Sequence, residues 1–142
     1  MELSDVLVEF CECAIHAILK TREVYPHTLF EQRNKYGIFV WQCRHPEICN
    51  YIHRVMLNCR SLIAAGAISK VMVVTRNSIT NIVIDVISII LSGYMGNNSN
   101  NNNSKMSYQL SDIQLLQEEF RSVILKIGIL DSQLEKYNNA GK

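Results

Sequence analysis

The chain has 142 residues with 48% hydrophobic content, and its 14 basic and 13 acidic side chains leave a formal charge of +1. That length suits one domain with a real core rather than two. The two signs are mixed along the chain with no basic stripe, which argues against direct duplex binding, because such binding draws its affinity from neutralised phosphates. Five cysteines are an odd count, Cys11 and Cys13 sit two apart in a helical stretch, and no basic start precedes an apolar core at the N-terminus. A secreted disulfide scaffold is therefore not expected. The longest apolar run, Ile82 to Leu91, is broken by Asp85 and Ser88 and falls far short of the roughly 20 residues that span a bilayer. The chain reads as soluble and intracellular, with no membrane partner.

In chain order, Val6, Leu7, Phe10, Ala14, Ala17 and Ile18 recur at three- and four-residue steps, and this spacing predicts a core-facing helix from Leu3 to about Thr21. Pro26 lacks an amide hydrogen and disfavours helical dihedrals at the residue before it, so the helix must finish by Tyr25. Leu29, Phe30 and Tyr36 give the following connection apolar anchors, so it should pack along the body. Ile38–Trp41 is of strand type. His45-Pro46-Glu47 resembles a helix start with proline in the first turn, and Ile48, Ile52, Val55, Met56, Cys59, Leu62 and Ile63 form the stripe of a second helix that Gly66 should stop.

Two strands are expected at Ile68–Thr75 and Thr80–Leu91, joined as an antiparallel hairpin by Arg76-Asn77-Ser78, with a bulge or bend near Asp85 or Ser88. An asparagine-rich segment at about 93–107 is too polar to order itself and is expected to be a disordered loop. A third helix can be capped by Ser111 and carries Ile113, Leu116, Phe120, Val123, Ile124, Ile127 and Leu134, with Gly128 as a modest interruption. Three helices and a hairpin give an α+β layer structure.

Arg22-Glu23-Val24-Tyr25-Pro26, Phe30, Lys35-Tyr36-Gly37, His45-Pro46-Glu47 with Tyr51-Ile52, and Arg121 with Ile124-Leu125-Lys126-Ile127 together resemble the HORMA domain family. The likeness covers about residues 3–92 and 108–135, and Glu23-Val24 with Tyr51 tilts it toward the branch that serves translesion DNA polymerase zeta rather than the spindle-checkpoint branch. The resemblance implies a core of three helices packed on a small, mainly antiparallel sheet. It also implies a noncatalytic adaptor in DNA damage tolerance and cell-cycle control, nuclear and in part cytoplasmic. Its partners would be a short Pro-containing peptide of the polymerase zeta catalytic subunit, a second translesion polymerase, and another HORMA domain as homo- or heterodimer.

Family members continue into further strands and a peptide-wrapping belt, whereas this chain stops at Lys142. The expectation is a single partial HORMA domain over 1–142 lacking its belt, with an open strand edge that invites association. A truncated gene model, a splice form, a fragment and a beltless remnant that acts only as a dimerisation partner all fit that ending. The resemblance makes Tyr51 a peptide-binding residue, although a tyrosine half-packed on the sheet would look the same in a sequence. It makes Arg121, with Lys126 and Asp131 beside it, the candidate partner or HORMA–HORMA interface, with an ordinary solvated helix face as the alternative.

Cys43, His45, Cys49 and His53 are metal-capable, but three ligands strung along one helix do not close a tetrahedron, so no metal or other cofactor is expected. Cys11 near His16 and Cys43 near His45 each lack a third orienting group. The chain also has no phosphate loop or nucleophile elbow, so no catalytic residue is assigned.

Overall fold

The computed structural model describes residues 2–92 and 110–130, with the side chains of 110–113 excepted. The elements run α1 (Leu3–Thr21), a 3-10 turn (His27–Leu29), β1 (Phe30–Lys35), β2 (Ile38–Cys43), α2 (Pro46–Ala64), β3 (Lys70–Arg76), β4 (Val83–Ile90) and α3 (Leu110–Gly128). This is the expected α+β class, with three helices and antiparallel strands. The strands form two hairpins, β1–β2 and β3–β4, instead of one small sheet. The connection after Pro26 holds a strand of its own, because Phe30 and the residues after it pair with β2.

Helix α1 is the hub. Leu7, Phe10, Cys11, Ala14 and Ile18 are all but inaccessible to solvent, and α2, α3 and β2 pack on it from different sides. Leu7, Phe10 and Ile18 each contribute roughly 1.5–3 kcal/mol of transfer free energy when removed from water. Phe10 stacks on Phe120 of α3 at 4.1 Å between ring centroids, and the ring of Tyr36 meets Phe120 edge-on at 5.6 Å. Val71, Val73, Ile87 and Ile89 bring the inner face of β3–β4 to the same core.

Helix α1 stops at Thr21, before the proline acts. Glu23 takes a left-handed φ of 53°, its N–H donates to the Lys20 carbonyl, and the Val24 N–H donates to the Leu19 carbonyl. That pattern is a Schellman cap, with glutamate at a position usually held by glycine. Helix α2 ends the same way with Gly66 at that position, as the sequence indicates. The β1–β2 turn is two residues long, and Tyr36 and Gly37 both take positive φ, the condition for a type I′ hairpin.

In β3–β4, Thr75 faces Asp85 and Arg76 faces Val83, so Ile84 is the extra residue of a bulge beside Asp85. The loop from β3 to β4 is built on Asn77, whose side-chain oxygen accepts from the N–H groups of Ile79 and Thr80. Helix α3 begins one residue before Ser111, and the capping role expected of that serine lies outside the described side chains. The asparagine-rich segment lies outside the described residues, as do Asp131 and Leu134.

Candidate partner-binding surfaces

Arg22, at the C-cap of α1, is 2% exposed, and its Nε donates to Asp85 Oδ2 of β4 at 2.9 Å, where Asp85 is 15% exposed. A buried guanidinium–carboxylate pair thus ties the end of the central helix to the bulged strand. Asp85 faces inward by the same alternation that turns Ile87 and Ile89 to the core, and the bulge at Ile84 lies directly beside it.

His16 provides a second tie. It is buried in α1, and its Nδ1 accepts the backbone N–H of Cys43 at the end of β2, at 3.0 Å. Burial disfavours the charged ring and lowers the His16 pKa below its usual value, so the ring is neutral and fit to accept that bond.

Most of the cysteine and histidine groups weighed in the sequence make contacts within the fold, while His45 Nδ1 is buried without a hydrogen-bond partner. Burial pushes the Cys11 thiol up to about 12, with Cys59 and Glu12 adding to the rise, and His16 is already committed to Cys43. The Cys49 thiol donates to the Cys43 carbonyl at 2.9 Å, and His53 Nδ1 contacts Glu12 Oε1 at 2.9 Å. Among the described residues, no three side chains of metal-ligating type come together. The Tyr36 hydroxyl is buried beside Cys13 without meeting hydrogen-bond geometry, and burial first of all raises its pKa.

Tyr51 stands 61% exposed on α2, in line with the exposed Val55 and Leu62 one and three turns further on. Arg121 lies on α3 and is already engaged within the chain: its Nε donates to the Tyr36 carbonyl at 2.8 Å, bracing the β1–β2 turn. A shallow depression beside it is lined by Glu118, Ser122, Leu125, Lys126 and Ile129. Arg121 and Lys126 therefore share one surface, and Tyr51 belongs to another, because α2 and α3 each pack on α1 and barely touch one another. Asp131, expected with Arg121, lies outside the described residues.

The sequence reading did not identify the exposed apolar face of β3–β4, nor the pairing of Arg22 with Asp85. Among the described residues, β3 and β4 pair only with each other. No helix among the described residues is long and apolar enough to cross a membrane.

No family profile matches the chain. Over 137 residues it is 31% identical to the mitotic spindle assembly checkpoint protein MAD2B of Rattus norvegicus, an alignment covering 94% of this chain and 59% of that protein. Over 67 residues it is 40% identical to the DNA polymerase zeta processivity subunit of Schizosaccharomyces pombe, covering 47% of this chain and 32% of that one. In fold it matches a chain in a crystal structure of the mitotic checkpoint complex, with a TM-score of 0.78 at 21% identity over 95% of this chain and 68% of the other.

With its three helices and antiparallel hairpins, the chain resembles the HORMA family in fold and in sequence. Within that family its sequence likeness runs to the polymerase zeta processivity subunit and MAD2B. It spans between 32% and 59% of the length of the two curated relatives just described.

Proposed function

We propose that the chain is a noncatalytic adaptor of the polymerase zeta type, a partial HORMA domain that takes up an extended peptide of the catalytic polymerase subunit. The carrying observation is the 40% identity to a polymerase zeta processivity subunit. The β3–β4 hairpin adds support, because among the described residues its two strands pair only with each other, and strand addition uses the backbone edge of such a hairpin.

Tyr51 would contribute an aromatic face with one hydroxyl to the peptide or to the body of the bound partner. The α3 surface around Arg121 and Lys126, with Asp131, would bridge to a second translesion polymerase or to another HORMA domain. Arg121 can do so only with the part of its guanidinium not spent on the Tyr36 carbonyl. The work would be nuclear, in DNA damage tolerance.

The test is a calorimetric titration of the 142-residue chain with a synthetic peptide of the catalytic polymerase zeta subunit, beside a checkpoint-derived peptide. Saturable binding of the first and weaker binding of the second is expected. Preference for the checkpoint peptide, or no uptake of either by folded protein, rejects the reading.

A further inference from the structure

The β3–β4 hairpin is apolar on both faces, and among the described residues only one of them meets the core. Met72, Val74, Val83, Ile84, Val86 and Ile90 lie on the outer face or at its bulge and are between 41% and 65% exposed. The register sets Val74 opposite Val86, Met72 opposite Ser88, and Lys70 opposite Ile90, so the patch is continuous along both strands. Ile79 and Ile82, the most exposed isoleucines among the described residues at 80% and 66%, extend it over the connecting loop. The strand part alone presents on the order of 500 Å² of apolar surface, at the upper end for a monomer and more than half of what one partner supplies to a standard interface.

Charge says what kind of surface would cover it. Lys70 and Arg76 open and close the outward row of β3, both exposed and both positive, while the outward positions of β4 carry no charged side chain. Two copies laid face to face on a two-fold axis would bring these cations toward one another in either strand direction, which opposes a symmetric dimer. A partner with carboxylates at matching positions would be drawn in.

Dimensions narrow the shape. Six residues of strand separate Lys70 from Arg76 by roughly 20 Å at the usual rise, which is about 13 residues of α-helix. Two strands present a strip about as wide as one helix.

We propose that this outer face is a docking surface for an amphipathic helix of another protein, about four turns long, whose apolar stripe is bordered by acidic side chains toward both ends. It is distinct from strand addition, which uses backbone groups at the hairpin edge. The two sites would therefore operate independently.

The probes are two labelled 14-residue helical peptides with the same leucine stripe, one flanked by glutamates and one by lysines, titrated into the 142-residue chain by fluorescence anisotropy. The glutamate peptide is expected to bind at least tenfold tighter, to perturb the Met72 methyl resonance, and to weaken about tenfold with Val74→Thr combined with Val86→Thr. These swaps keep β-branched residues in the strands. Reversing both charges with Lys70→Glu and Arg76→Glu should reverse the preference between peptides. Equal affinity for both peptides, binding of neither, or binding that leaves Met72 unperturbed overturns the proposal. Concentration-dependent self-association in sedimentation, abolished by the two threonine substitutions, also overturns it and assigns the face to a second copy.

Discussion

Removing the carboxylate of Asp85 leaves the Arg22 guanidinium, 2% exposed, without its partner at 2.9 Å. A buried charge stripped of its counter-charge typically costs about 3–5 kcal/mol, far above the ~0–1 kcal/mol of a surface pair. Asp85→Ala should therefore lower the urea midpoint by about 1–5 M if the denaturant slope is near 1–3 kcal/mol/M, read by far-UV circular dichroism and by the fluorescence of Trp41. Arg22→Met should cost less, because the carboxylate left behind is 15% exposed and keeps some contact with water. The double variant Arg22→Met, Asp85→Leu is expected to recover most of the loss, since the pair as a whole contributes little beyond a well-packed apolar replacement. Two single losses that simply add in the double variant would refute the reasoning, because additivity means the two groups do not act as a pair.

Three further outcomes follow from the packing and the titrating groups. The folded His16 pKa lies below its unfolded value near 6.5, so the unfolded chain binds the extra proton and the contribution of His16 to stability is lost as pH falls through and below that value. His16→Gln can still accept the Cys43 N–H and should flatten that acid-side loss, as measured by urea unfolding between pH 5 and 8. Phe120→Ala empties a fully buried site stacked on Phe10 and should cost about 3–5 kcal/mol in the same assay. Gly37 holds φ at 75°, with the Arg121 side chain 3.2 Å from where a Cβ would sit, so Gly37→Val should lower the melting temperature clearly more than Gly37→Asn, which tolerates left-handed dihedrals.

The three helices, the β3–β4 hairpin and the stop at Gly66 were legible because each depends on local chemistry. Periodic apolar side chains need a core, and glycine fits a left-handed cap. Strand β1 was not legible, because Phe30-Glu31-Gln32-Arg33-Asn34-Lys35 is polar and exposed over much of its length and pairs through its backbone. The end of α1 near Thr21 was legible, but its Schellman cap was not, since Glu23 adopts a dihedral that its side chain does not advertise. Both candidate surfaces lie on the predicted helices, yet the hold of Arg121 on the Tyr36 carbonyl joins positions 85 apart in sequence and comes only from the fold. The same is true of Asp85, which reads as a break in an apolar run and turns out to be the partner of Arg22. The outer face of β3–β4 escaped notice because a run such as Val71-Met72-Val73-Val74 looks alike whether one side is covered or both.

The central claim is that a backbone edge of the β3–β4 hairpin receives an extended peptide of the polymerase zeta catalytic subunit. Amide hydrogen exchange on the 142-residue chain, with and without that peptide, tests it residue by residue. The account predicts new protection at alternate residues along the outer edge of β3 or of β4, with the β1–β2 hairpin unchanged. Peptide bound without protection on either edge, or protection confined to the helices, would contradict it.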